Sequence, residues 1–352
     1  MRVALEATAL SISSGGLARY TSELSLALAR CFPDDQFFLI SDQPFGMPEG
    51  APPNLQRGGA PRNAIERRWW LWGILREMSR LHADLIHGPD FAVPYIPRHP
   101  SVLTLHDLSP WMDEKWHHAA DRVRGRTPLL LELGLATMII TPGESVRKQA
   151  IERFRLRPER VAAVPEAAAA RFRPVPSPVP PPRDYFLFVG TLEPRKNIPE
   201  LLEAWREVRR DVPIDLVLAG RRRADFPELA AEPGLQILGE VPDKQLPELY
   251  SSALAFVYPS LYEGFGLPVL EAMQCGACVI ASPAVKEVGG EAPLYASGAR
   301  ELADAMRLVA ENREVVLQRR AESLQRSAQF SWEQTARMTY AIYQEARRRF
   351  GA

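Results

Sequence analysis

Cysteine is scarce, with three (Cys31, Cys275 and Cys278) in 352 residues. So small and odd a set excludes a disulfide framework. The C-x-x-C spacing of Cys275 and Cys278 has no second pair or histidine set to complete a zinc site. Both lie in QCGACVIAS, where Val279 and Ile280 open a strand, and they read as small, half-buried thiols. Net charge is missing as well: Lys plus Arg and Asp plus Glu number 43 each. That balance argues against nucleic acid as a partner and leaves room only for a local basic patch. Long apolar runs are absent, since LLLELGLATMII (129–140) is interrupted by Glu132 and is too short to span a bilayer. Met1-Arg2 leads directly into VALEATAL with no signal-peptide h-region, so the expectation is a soluble, cytoplasmic protein. The chain also lacks G-x-G-x-x-G, a P-loop and any Asp-x-Asp pair of the kind that holds a divalent cation, so a dinucleotide fingerprint is excluded and no metal is expected.

Proline, by contrast, is plentiful. RFRPVPSPVPPPRD (171–184) carries six prolines in fourteen residues, a composition that cannot join a β-ladder and holds the chain extended. It reads as a stiff linker between two domains, which suits a chain of this length. On both sides, short apolar runs alternate with amphipathic helical patterns. RVALEATAL, FFLIS, ADLIHG, SVLTLHD and ATMIITP read as buried strands, and the series resumes with YFLFVGT, IDLVLAG, LQILGEV, LAFVYPS and CVIAS. Such alternation predicts an α/β fold of two doubly wound, Rossmann-like domains facing across a cleft. The expected boundaries are 1–173 for the first domain, 174–184 for the linker, 185–330 for the second, and 331–352 for a helix capped by Ser331 that packs back on the first.

Ligands of open α/β sheets bind where strands end, so the loops there carry the candidate chemistry. Gly15 and Gly16 precede a helix beginning near Leu17, where bare amides suit an anion, although a glycine pair is also an ordinary turn. After YFLFVG come Arg195 and Lys196, with Asn197 placed to cap the next helix. Side by side they suit a diphosphate clamp, or form a solvated surface pair. After LAFVYPS comes YEGFGLPVLEAM, with Glu263 and Glu271 eight apart around a Gly-Phe-Gly turn and Pro268 suited to a first helical turn. A carboxylate accepts two hydrogen bonds and so matches a sugar diol. Paired carboxylates also serve glycosidases, about 5–9.5 Å apart, or simply favour a helix N-terminus. His106 ends the strand SVLTLHD and His87 ends LIHG, each suited to a sugar hydroxyl, a proton transfer or a structural bond. His117 and His118 follow a tryptophan in a polar stretch and read as exposed. VPEAAAARFRP (164–174) reads as an alanine run without chemistry. IERRWWLWGILREMSRL (65–81), basic and rich in indole, reads as a crossover helix packed on the sheet or as an amphipathic helix at a lipid surface.

Together the stretches GGLARYTSEL, LTLHDLSP, FVGTLEPRKNIPELLEAW, LVLAG, LGEVPDKQLPELYSSALAFVYPSLYEGFGLPVLEAMQCGACVIAS and FSWEQTAR resemble the retaining, nucleotide-sugar-dependent glycosyltransferases of family four, which have the GT-B fold. The resemblance covers the second half almost end to end and the first half at its strand ends. It implies that Arg195 and Lys196 hold a donor diphosphate, that Glu271 binds the nucleotide ribose, and that Glu263 contacts the donor sugar. It gives the amides of Phe265, Gly266 and Leu267 a role beside phosphate and sugar, Gly16 a place in a phosphate-contacting loop, and His106 an approach to the donor sugar. The base is implied to rest beside Glu240 and Val241. Relatives place a proline where this chain has Lys286, in a loop that is shorter here. The implied reaction moves a hexose, with GDP-mannose the favoured donor, to a glycan or lipid-linked acceptor of a bacterial surface polysaccharide. The implied location is the cytoplasm or, through 65–81, the inner face of the membrane. An epimerase or phosphorylase of the same fold, or a nucleotide-sugar-binding protein without turnover, are the alternatives.

Overall fold

The computed structural model describes residues 1–11, 15–116, 120–175 and 183–351; His117, His118 and most of the proline-rich stretch lie outside them. The chain divides into two compact units, residues 1–166 with 331–352, and residues 167–330.

In the first unit the described residues form a seven-stranded sheet of β1 (Arg2–Glu6), β2 (Gln36–Ile40), β3 (Leu55–Arg57), β4 (Leu85–Gly88), β5 (Ser101–Thr104), β6 (Met138–Thr141) and β7 (Val161–Ala163). Their order is β3-β2-β1-β4-β5-β6-β7, with every pairing parallel. Helices α1 (Gly16–Cys31), α2 (Ile74–Leu81), α3 (Asp121–Glu132) and α4 (Glu144–Phe154) connect the strands. Strands β4, β5 and β6 are buried throughout, as both faces of a parallel sheet must be when helices cover them.

The second unit repeats the plan with β8 (Tyr185–Val189), β9 (Asp215–Ala219), β10 (Leu235–Gly239), β11 (Ala255–Tyr258), β12 (Val279–Ala281) and β13 (Leu294–Tyr295), in the parallel order β10-β9-β8-β11-β12-β13. Around it run α5 (Ile198–Val208), α6 (Leu246–Ser252), α7 (Leu267–Gln274), α8 (Lys286–Gly289), α9 (Gly298–Glu311) and α10 (Arg313–Ser327). The last helix, α11 (Trp332–Arg349), starts at Ser331, whose hydroxyl accepts from the Gln334 amide at 3.1 Å, and it packs on α1 in the first unit.

Several elements differ from the sequence reading. β10 is not buried: Ile237 and Leu238 are 45% and 44% exposed, because the strand is the edge of its sheet. Residues 65–81 are not one helix; a π-helical turn at Trp69–Gly73 precedes α2. That turn sends Trp69 into the core, leaves Trp70 half-buried and turns Trp72 outward. The first unit ends at Glu166 rather than at 173, because Ala168, Ala169 and Phe172 are already packed into the core of the second. Cys275 and Cys278 are fully buried, and burial pushes both thiols up to about 12, which makes them packing residues rather than reactive ones.

Candidate active site

In each unit the strand order reverses at one place, where two adjacent strands send their connections to opposite sides of the sheet. A crevice opens there at the strands' carboxyl ends. In the second unit that place lies between β8 and β11, and the predicted residues gather at it. The loop after β8 turns once through Pro194–Lys196, and the loop after β11 carries Glu263. Lys196 Nζ lies 2.5 Å from Glu263 Oε1 and also donates to the Tyr258 hydroxyl. Arg195 Nη1 lies 3.1 Å from Glu263 Oε2 and donates to the Tyr262 carbonyl at 2.8 Å, while its Nη2 meets Glu193 Oε1 at 2.9 Å. The Leu261 amide donates to the Arg195 carbonyl at 2.9 Å, so the two loops are laced together by backbone as well.

Side chains here are nearly closed to water: Lys196 is 8% and Glu263 9% exposed. Burial alone would disfavour the Glu263 carboxylate. The Arg195 and Lys196 cations outweigh it and hold that carboxyl down at about 2. Burial lowers the Lys196 ammonium, with Glu263 opposing. One buried carboxylate therefore sits between two cations, an arrangement that keeps all three charged and geometrically fixed.

Gly266 ends the same loop at φ +100, a left-handed conformation, and caps α7. A β-carbon there would lie 2.8 Å from Val285 Cγ1, so glycine is needed for both backbone and space. The amides of Gly266 and Leu267 open a helix whose geometry gives first-turn amides no partner within it. Phe265 packs edge-on to Phe330, and Glu271 is buried in α7, where it accepts from the Tyr250 hydroxyl at 3.3 Å. Asn197 does not cap α5 with its side chain; it adopts φ +54 and donates to Glu200 at 2.8 Å instead. Beyond β10, Glu240 is exposed and Val241 half-buried.

In the first unit the reversal falls between β1 and β4, and a second polar cluster forms there. The His106 ring has both nitrogens engaged: Nε2 lies 2.7 Å from the Pro89 carbonyl and Nδ1 lies 3.1 Å from Glu166 Oε1. Tyr20 of α1 meets the ring edge-on, 4.6 Å between centroids. His87 is buried between the Tyr343 and Thr104 hydroxyls, 2.7 Å from each. Burial, with His106 adding to it, drops the His87 ring to about 3, so it is a neutral structural histidine. Gly15, at φ +125, caps α1, which starts at Gly16. Among the described residues, a β-carbon on either glycine would meet nothing within 4 Å.

The family model described as "Glycosyltransferase Family 4" matches residues 14–170, and that described as "Glycosyl transferases group 1" matches residues 172–324. The O-antigen chain mannosyltransferase B of Escherichia coli is 34% identical over 287 residues, which cover 74% of this chain and 74% of that protein. This chain belongs to the group 1, family 4 glycosyltransferases. Solved structures agree on the GT-B fold. A sucrose-phosphate synthase from Thermosynechococcus elongatus superposes with a TM-score of 0.75 at 21% identity, over 98% of each chain. The Anabaena protein HepE, solved in complex with UDP and glucose, gives 0.74 at 16% identity, over 98% of this chain and 100% of that one.

The structure of this glycosyltransferase thus brings Arg195, Lys196 and Glu263 into direct contact, with Gly266 capping the helix that follows and Leu267 and Glu271 on it. His106 is held in the first unit's own cluster. Sequence reading missed Glu193 and Tyr258, which orient the two cations, and Glu166, which holds His106. The run VPEAAAA was read as carrying no chemistry, and Glu166 corrects that. Its only signal was position, directly after a strand end, and the three-residue β7 was too short to be recognised.

Proposed function

We propose that this glycosyltransferase transfers mannose from GDP-mannose, with retention and without a divalent cation, to a glycan or lipid-linked acceptor. The observation that carries the reading is the buried Arg195–Lys196–Glu263 cluster at the β8/β11 strand ends. The mannosyltransferase name of the Escherichia coli relative supports the sugar. The nucleotide sugar is supported by HepE having been solved with UDP and glucose.

In this mechanism the bond from the anomeric carbon to the β-phosphate oxygen breaks, and its electron pair goes to the phosphate. The acceptor oxygen forms the new bond on the same face, and its proton passes to the departing phosphate. Negative charge growing on the leaving group is met by Arg195, Lys196 and the first amides of α7, which need no reorganisation to receive it. Glu263 and Glu271 supply carboxylates to the sugar hydroxyls and the ribose. The role proposed for His106 toward the sugar is that of a cation rather than of a free ring nitrogen, since both its nitrogens are engaged within the first unit. A lipid-linked acceptor brings with it a contact at the membrane surface, for which Ile65 and Trp72 point outward beside exposed Arg67, Arg68 and Arg76.

Thermal shift against GDP, UDP, ADP and dTDP sugars tests the donor. At 100 times its dissociation constant GDP-mannose should add about 2.7 kcal/mol of stability, and transfer should survive EDTA and give an axial product linkage. No shift with GDP-mannose, loss of transfer on chelation, or an inverted anomeric centre by NMR would each reject the corresponding part.

A further inference from the structure

The Pro89 carbonyl can only accept, so His106 Nε2 must carry a proton and donate it. That leaves Nδ1, 3.1 Å from Glu166 Oε1, as the one nitrogen whose proton is in question. Facing a carboxylate, Nδ1 makes the stronger bond when it too is protonated, because a charge-assisted pair is shorter and stronger than a neutral one. We propose that Glu166 is a positioning residue for sugar transfer, whose carboxylate, together with the Pro89 carbonyl, clamps both ring nitrogens and keeps His106 a doubly protonated cation of fixed orientation. The proposal rests on the role given to His106 above and adds what sets its charge.

Glu166 is itself built in. It is 4% exposed. The amide of Val164 continues the β7 ladder by donating to Thr141 at 2.8 Å, and the carbonyl of Pro165 accepts from the Thr335 hydroxyl of α11 at 2.7 Å. Thr335 is 2% exposed, so α11 pins the residue next to Glu166 from 170 positions away. The same helix reaches the ring a second way, since Trp332 packs edge-on to Tyr20, which packs edge-on to His106.

The other groups around the ring bear on its charge as follows. Asp90 follows β4 and favours the cation. His87 on β4 is neutral. Tyr20 from α1 is un-ionised, its hydroxyl pushed well up by burial. Arg126 of α3 acts on Asp90. Asp107 is turned to the Ser109 amide and hydroxyl. Burial works against the His106 cation, and the Glu166 carboxylate, joined by the Pro89 carbonyl and Asp90, outweighs it, so the ring's pKa is raised.

The test follows the ring nitrogens of histidine-labelled protein by 15N NMR, with Glu166→Gln beside wild type and His106→Gln for assignment. Wild type should show two protonated nitrogens on His106 at pH values where an ordinary imidazole has already lost its second proton. Glu166→Gln should show a neutral ring at neutral pH, and its kcat should lose the plateau that wild type keeps to higher pH. Should Glu166→Gln fail to fold, Glu166→Asp keeps the charge on a shorter stem, and the wild-type titration alone still decides the charge state. A neutral ring in wild type near pH 7, or a cation that persists in Glu166→Gln, overturns the proposal. A cation lost in Glu166→Gln with kcat and its pH profile unchanged overturns the part in transfer while leaving the clamp, and donor binding in the thermal-shift screen is read separately from both.

Discussion

At the scale of single residues, the decisive feature is that Glu263 occupies both cations that are proposed to receive a diphosphate. Carboxylate and phosphate compete for the same donors, so substitutions on the two sides of this contact should separate. Lys196→Ala leaves Glu263 still paired with Arg195, so the fold should hold, as melting would show. Turnover should fall by about 10²–10³, the usual cost of one preorganised donor at a developing anion. A loss under about threefold at saturating donor contradicts that magnitude of donor effect. Glu263→Gln should also cut turnover, yet GDP should bind it at least as tightly as wild type, because the internal competitor for Arg195 and Lys196 has lost its charge. Calorimetric titration of GDP into both variants checks this; weaker GDP binding by Glu263→Gln would mean that the carboxylate orients the cations rather than competing with the ligand.

At the scale of elements, loops are held by conformations that few residues can adopt. Gly266→Ala would force φ +100 on an alanine and press its methyl to 2.8 Å from Val285 Cγ1. Backbone strain of this kind costs about 1–3 kcal/mol, and the start of α7 should shift with it, so urea midpoint and turnover should fall together. The strands that carry the site were legible because each is a buried apolar run ending in polar residues, and parallel strands of that kind announce both themselves and their loops. β3, β7 and β13 were not, since two or three residues hold little pattern of their own; β12, equally short, was legible only through the apolar run CVIAS that contains it. β10 was legible as a strand but not as an edge, because position in a sheet is a property of topology and not of the strand's own sequence. Likewise, Arg195, Lys196 and Glu263 could be picked out one by one, but their meeting could not, as it depends on β8 and β11 lying side by side. Glu166 depends on still more: β7, the Thr335 bond from α11, and a histidine 60 residues earlier.

At the scale of the molecule, the first unit carries a buried acid that ties its stability to pH. Glu6, at the carboxyl end of β1, is 1% exposed, accepts from the Thr8 amide at 3.2 Å and the Trp69 indole at 3.2 Å, and is bonded by the Thr8 hydroxyl. Burial raises its carboxyl from 4.5 to about 7, against those hydrogen bonds, which favour the charged form. The unfolded chain releases this proton near 4.5 while the folded chain keeps it to about 7. Between those values the native state binds more protons, so stability falls as pH rises, and above about 7 the whole cost is present. A shift of this size is worth about 3 kcal/mol. Glutamine has the shape of the acid and never ionises; its one carbonyl oxygen can keep the bonds from the Thr8 hydroxyl and the Trp69 indole, both made to Oε1, while its amide nitrogen gives up the bond that Oε2 accepts from the Thr8 amide. Relative to wild type, Glu6→Gln should therefore gain about that amount of stability on going from about pH 4.5 to pH 8, whatever the lost Thr8 amide bond costs at both. Urea unfolding of both proteins at the two pH values measures the difference directly. Equal effects at both would mean that Glu6 titrates as an ordinary carboxylate, with its charge already accommodated by the Trp69 and Thr8 donors.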